Sequence, residues 1–480
     1  MTSEKYDFRK ECAIAEFRAI INKYILPLFD VRGSLKFISK ESTNKELITI
    51  ETGERFSTLR FYPFISNNNH PTEFHFSIKT HSSQAIKKRA ASILRELLKV
   101  AEYNCFNYSK QRDYGTGTIR EKTYKSRTLD LAFEIGMCKW LTTTENEATT
   151  LHILISRLID WSCRTYEGKK VPFGIVIDFN QHSEKDAANY LHFLENDSSA
   201  VFTDGIFSGI LLDNEGKVLS FLTNNTEEKV SSDHSQEVFM PYQFINIAKH
   251  CTKSSIGIIA LTNGEIIIVK NRSICFAKRG QKWIAFDWER VYTNLRPYFL
   301  RSGITDEKEI KHKIQSIYCS LLDVSFSHTG GCLALVLPEY VSKINTEVKE
   351  RIDLFIIGEK LTGISQESRE KIEILSYLLT YSNNHLRSFF EIEKPLRKEI
   401  LSLDGATVLA MDGTFFCAGS IVAVGGGSSG GGRTAATKKL AEFGIGIKIS
   451  EDGYIEAYGK EYAEIESEKD SRIRRVFSFR

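Results

Sequence analysis

Asp404 and Arg433 stand among residues able to handle phosphate and a divalent metal. Residues 401–458 read LSLDGATVLAMDGTFFCAGSIVAVGGGSSGGGRTAATKKLAEFGIGIKISEDGYIEAY. Asp404-Gly405-Ala406 opens one strand-like run, ATVLAM. A second run, TFFCAGSIVAV, leads into the glycine-rich residues 425–432, followed by Arg433, Thr434 and a helical pattern. A carboxylate can share Mg²⁺ with substrate phosphates. Glycines let backbone N–H groups approach phosphate oxygens, and a helix start adds partial positive charge. The Arg433 guanidinium brings a fixed, forked donor to the same place. Together these parts suit the gripping of a nucleoside triphosphate and its metal.

The Asp412-Gly413 turn joins the two runs as a hairpin. That pairing predicts that Asp404 and the glycine loop share one end of a sheet. Taken alone, GGGSSGGG has the composition of a flexible linker. Between a patterned strand and a patterned helix it reads instead as a phosphate loop. Residues 427–434, GSSGGGRT, approach a Walker A loop, but Arg433 occupies the lysine position, and the preceding element is a hairpin arm rather than a strand of a parallel βαβ unit.

The elements that must position these residues follow from period. Residues 13–29 read as a core-facing amphipathic helix. LITIETG, STLRFYPFI and FHFSIKT read as strands, with Asn67, Asn68, Asn69 and Pro71 marking a turn. A helix over 82–103 sets Lys87, Lys88, Arg89, Arg95 and Lys99 beside an apolar stripe through Ile93, Leu94 and Leu97. Its basic side reads as a solvated face. The stretch 110–127 interleaves Tyr114 and Tyr124 with basic residues, a pattern that can stack bases, and reads as an exposed loop. A helix over 148–166 leads to VPFGIVIDF, a buried strand. The next 120 residues read as hairpins, with Asn263-Gly264 the clearest turn, and a polar loop over 225–237. Residues 304–327 read as a helix ending near Asp323 and bridging two domains. GGCLALVLPE (330–339) is a buried strand, with helical segments around 342–353 and 366–382 after it. The run beyond Tyr458 alternates charge signs and reads as a solvated tail.

The expected architecture is α/β: an N-terminal α+β domain over 1–140, an α/β sensor-like domain over 141–324, a nucleotide-binding domain over 325–462, and a charged tail over 463–480. With 480 residues, several domains are expected. Net charge is +3, from 64 Lys+Arg and 61 Asp+Glu, so the total demands neither nucleic acid nor an anionic membrane as partner. Nine cysteines lie far apart with no CxxC, against a zinc ribbon or a disulfide framework. No window approaches a membrane-spanning apolar run, and the expected location is cytoplasmic.

From about residue 328 to 460 the chain resembles the diadenylate cyclase domain, the catalytic unit of bacterial and archaeal enzymes that make cyclic di-AMP from ATP. The resemblance rests on Gly330-Gly331 before an apolar strand, Asp404-Gly405-Ala406, the glycine turn into Arg433-Thr434-Ala435-Ala436, and the closing Ser450-Glu451-Asp452. It implies a C-terminal mixed sheet flanked by helices, preceded by one or two α+β domains of a regulatory kind. It further implies that Asp404 binds a divalent metal, Mg²⁺ or Mn²⁺, with Glu451 nearby, and readies the ribose 3′-hydroxyl. Gly405 and Ala406 give a close backbone edge. Gly430, Gly431, Gly432, Arg433 and Thr434 grip the triphosphate, and Ser450 helps to close the site. The partners implied are ATP and a second copy of the chain, face to face. Where the family has its first arginine and its histidine, this chain has Gly431 and Gly432. Each lost charge-assisted hydrogen bond is worth about 1.5–3 kcal/mol, which the glycine N–H groups or Lys438 would have to offset. A nucleotide or cyclic-dinucleotide sensor without turnover is the alternative. A nucleic-acid-associated effector using residues 87–127 is more remote.

Overall fold

The computed structural model describes residues 119–166, 172–184, 187–195, 203–223, 238–343, 366–380, 387–422, 431–460 and 473–479, with residues 169–170 and short pieces before residue 101. Residues 1–18, the first part (110–118) of the basic-aromatic stretch, the polar loop 225–237, most of the helical segment expected at 342–353, and residues 423–430, Gly430 included, lie outside the described residues, while the rest of that stretch, from Ile119, is helical rather than the expected loop. The chain is mixed α/β and divides into two compact units. One comprises Met1–Ser235 and Asn246–Phe286, the other Gln236–Ile245 and Asp287–Arg480.

In the first unit, β1 (Ser34–Ile38), β2 (Ile48–Thr52), β3 (Ser57–Phe61) and β4 (Glu73–Ile78) form an antiparallel sheet in the order β1-β4-β3-β2. Helices α1 (Ile119–Leu141) and α2 (Glu145–Ser162) follow. Thr144 caps α2 by accepting the Glu147 N–H, while Glu147 Oε2 accepts from the Thr143 N–H, a reciprocal arrangement that satisfies two donors at the helix start. Leu151, Leu154, Ile155 and Leu158 then recur on one buried stripe.

A seven-stranded mixed sheet completes this unit, from β5 (Phe173–Asp178), β6 (Ser208–Leu212), β7 (Val218–Thr223), β8 (Ser255–Ala260), β9 (Ile266–Lys270), β10 (Ser273–Arg279) and β11 (Lys282–Ala285). Their order is β11-β10-β9-β8-β5-β6-β7, with only β5 and β6 parallel. The expected Asn263-Gly264 hairpin joins β8 to β9, with Gly264 at φ +87°. Phe276 packs edge-on to Phe133, Trp140 and Trp283. Glu134, buried beside this cluster, accepts from Lys278 Nζ at 2.7 Å and Trp283 Nε1 at 2.9 Å.

The second unit holds helices α3 (Trp288–Arg301), α4 (Glu307–Ser327), α5 (Gln366–Leu379), α6 (Lys394–Leu401) and α7 (Gly431–Leu440) and a six-stranded mixed sheet. Its strands are β12 (Gly331–Val336), β13 (Ala406–Ala410), β14 (Phe415–Ser420), β15 (Gly444–Ile449), β16 (Ile455–Lys460) and β17 (Ile473–Phe479), in the order β14-β13-β12-β15-β16-β17. Only β12 and β13 are parallel. Within the stretch 463–480, expected as a charged tail, Ile473–Phe479 form the edge strand β17, and the rest lies outside the described residues. The strand pairs with β16, and Phe477 and Phe479 are buried. The expected bridging helix is α4, which runs on to Ser327 and belongs to the second unit, where Ile314, Ile317, Tyr318, Leu321, Leu322 and Phe326 are buried. A helix apolar on so much of its circumference is a core element. Among the described residues, no helix is long and apolar enough to cross a membrane.

Candidate functional site

The pairing registers bring distant residues to one end of the second sheet. Leu333 lies beside Thr407 in parallel register, so β12 and β13 start together, about 4.8 Å apart. Gly331 faces Ile449 across the antiparallel β12–β15 pair, and Ala406 faces Ser420 across β13–β14. The expected hairpin is therefore present, and Asp404 and the exit of β14 share one end. Gly330, Asp404, Gly405, Ala406, Ser420, Ser450 and Glu451 all belong to this end, and residues 423–430 run from it to α7 outside the described residues.

Two glycines make the assembly possible. Gly405 sits at φ +106°, and a methyl group there would come within 2.5 Å of the Gly419 carbonyl carbon. Gly330 sits at φ +71°, where a methyl group would lie 2.8 Å from Arg433 Nη1 and 3.3 Å from Glu451 Cγ. Only a residue without a Cβ accepts both the backbone conformation and the close neighbours.

Over Gly330, Arg433 Nη1 donates to Glu451 Oε1 at 2.7 Å, with side chains 34% and 70% exposed. His328 caps the end of α4 in a left-handed conformation, and its Nδ1 lies 2.8 Å from the Glu451 carbonyl oxygen, a placement in which the ring N–H donates. Thr329 and Ser402 share a hydroxyl hydrogen bond of 2.7 Å, which ties the entry to β12 to the turn that carries Asp404. Ser450 builds a tight turn: its N–H donates to Tyr454 O at 2.9 Å, and its Oγ accepts the Tyr454 N–H at 3.1 Å. Thr434, buried in the first turn of α7, accepts from Lys448 Nζ at 2.9 Å. Lys438, expected as a compensating cation, lies in the last turn of α7 with its ammonium 5.4 Å from the centre of the Tyr458 ring.

Asp404 is exposed just after the C-terminus of α6 and takes no hydrogen bond or ion pair among the described residues. The helix dipoles polarise this end. The C-terminus of α6 adds partial negative charge near Asp404, and the N-terminus of α7 adds partial positive charge near Arg433. A cation is favoured on one side and an anion on the other, the distribution a metal–phosphate pair needs. Cys332 and Cys417, in the core beneath, are inert: burial pushes their thiols up to about 11 and about 12.

No three His, Cys, Asp or Glu residues converge as a metal cage among the described residues. A single exposed carboxylate fits Mg²⁺ or Mn²⁺ shared with substrate phosphates, since Mg²⁺ commonly keeps several waters and takes only one or two protein carboxylates. Asp404 is the residue that fits this role. Glu451, expected beside it, is engaged with Arg433.

Of the expected site residues, Asp404, Gly405, Ala406, Ser450 and Glu451 meet at the sheet end, and Gly431, Gly432, Arg433 and Thr434 form the start of α7 that reaches it. Gly330, His328, Thr329 with Ser402, and Lys448 complete the surroundings. For Lys448 the sequence does carry a signal: one lysine inside the otherwise apolar GIGIKI. Compared with protein-family models, curated proteins and solved structures, the chain matches none.

Proposed function

We propose that the second unit binds ATP at this sheet end and, with a second copy facing it, condenses two ATP into cyclic di-AMP with release of two pyrophosphates. What supports this reading is the meeting at one sheet end of Asp404, Gly405, Arg433, Ser450 and Glu451, residues that the resemblance singles out and that come from separate stretches of the chain. Each ribose 3′-hydroxyl gives its proton to solvent as its oxygen attacks the α-phosphorus of the other ATP, and the bond from that phosphorus to the pyrophosphate oxygen breaks. Asp404 would hold a divalent metal, which would supply neutralisation of phosphate charge and a lower hydroxyl pKa. Gly405 keeps the strand edge close to the ribose. Arg433 leaves Glu451 to meet the phosphate oxygens, and the α7 N–H groups accept the remaining charge. The first unit then serves as the regulatory part.

One observation favours a second reading. Arg433 is already paired with Glu451, and Gly431 and Gly432 bring no charge. Such a site can hold a nucleotide or cyclic dinucleotide as a sensor without turning it over. The full-length protein, incubated with ATP and Mg²⁺ or Mn²⁺ and assayed by chromatography for cyclic di-AMP, separates the two. Product that disappears in Asp404→Asn supports the cyclase. Binding by calorimetry with no product in either metal supports the sensor, and neither binding nor product refutes both.

A further inference from the structure

We propose that Lys448 is a phosphate-binding residue of this sheet end, the second cation that the chain sets beside Arg433. The inference rests on the nucleotide reading for the identity of its ligand. Three observations carry it. First, α7 is pressed onto β15: a methyl group at Gly446 would come within 2.1 Å of Thr437 O, and Lys448, two residues on, extends from the same face of the strand. Its Nζ reaches Thr434 Oγ1 at 2.9 Å, in the turn that also carries Arg433. Two cations therefore meet the positive end of α7, whereas Lys438 and Lys439 are occupied farther along, over Tyr458 and with Glu442.

Second, the lysine is incompletely matched where it lies. An ammonium has three donors. Thr434 takes one, and Glu456 Oε2 forms an ion pair only at 4.0 Å, beyond hydrogen-bond length. The side chain is only 20% exposed, and a cation so covered gains from an anion that completes its shell. Third, among the described residues nothing lies within 4 Å of where side chains at Gly431 and Gly432 would begin. The start of α7, with Arg433 on one side and Lys448 beneath, forms a receptor for a polyphosphate, with the lysine in place of the missing side-chain charge.

The test is calorimetric titration of the full chain and of Lys448→Met and Lys448→Arg with AMP, ADP, ATP and inorganic tripolyphosphate. The expected result is a preference for ATP over AMP that falls about tenfold or more in Lys448→Met and returns in Lys448→Arg, with tripolyphosphate weakened in parallel. A lysine that only braced the helix would weaken all the nucleotides alike, so an unchanged ATP-to-AMP ratio overturns the proposal while leaving nucleotide binding intact. Lysine-dependent binding of tripolyphosphate without binding of ATP sinks the nucleotide reading and keeps the lysine. If Lys448→Met unfolds, Lys448→Gln gives the same comparison.

Discussion

Replacing Glu451 by Gln tests what the Arg433 ion pair does. The pair is short, 2.7 Å, but its side chains are 34% and 70% exposed, so solvent screens it and about 0.2–1 kcal/mol is its expected worth. An incoming phosphate must displace the carboxylate before Arg433 can bind it. Removing the charge therefore tightens a phosphate ligand by about 1.4- to 5-fold. His328 is undisturbed, because it bonds the Glu451 backbone oxygen and not the carboxylate. Glu451 as a metal ligand predicts the opposite sign: its loss would weaken ATP, and only when metal is present. Calorimetry of wild type and Glu451→Gln with ATP, in chelator and then in Mg²⁺, reads both. Tighter binding in chelator supports competition for Arg433. Unchanged or weaker binding in chelator refutes it, and weakening confined to Mg²⁺ assigns Glu451 to the metal.

Two further substitutions probe the frame. Gly405→Ala places a methyl group 2.5 Å from the Gly419 carbonyl carbon at φ +106°, so a loss of about 1–3 kcal/mol in urea unfolding is expected; an unchanged midpoint would show that β13 and β14 do not meet as described. Asp323, buried in α4 with the Tyr242 N–H donating to it, is pushed up from 3.8 to about 6 by burial, against the lowering pull of that hydrogen bond and of Lys394, Arg397 and Lys398. A raised folded-state value means the stabilisation is full below the unfolded pKa and is lost as pH rises through the folded one. Wild type should thus lose up to about 3 kcal/mol relative to Asp323→Asn between pH 4 and 7, and urea midpoints that keep a constant difference would contradict this.

Much of the site could be read from the chain because its parts carry local signals. Asp412-Gly413 fixes the β13–β14 hairpin, and with it the end at which Asp404 sits. The parallel partnership of β12 and β13 carries no such mark, since a long crossover separates them. Helix α6 escapes notice because KPLRKEIL shows only Leu396, Ile400 and Leu401 among charges, too few for a periodic pattern. Strand β17 is hidden by the charged run before it, and its Phe477 and Phe479 find their meaning only against β16. The Arg433–Glu451 pair depends on α7 folding back along β15, a tertiary fact that spacing does not state. Lys448 goes unread, although it is the one lysine in GIGIKI, because its direction depends on Gly446 drawing the helix in.

The β12–β13 pairing has a consequence for how the second unit comes together. Entry to β12, the turn before β13, the start of α7 and the exit of β15 are all distant in sequence, so none of them forms a receptor until the long connections have closed. Contacts of that range are made slowly and cost loop entropy first. Binding capacity is then among the last things the chain acquires and the first it loses on unfolding, and a ligand held there ties four remote segments together, raising the melting temperature in proportion to the logarithm of its concentration.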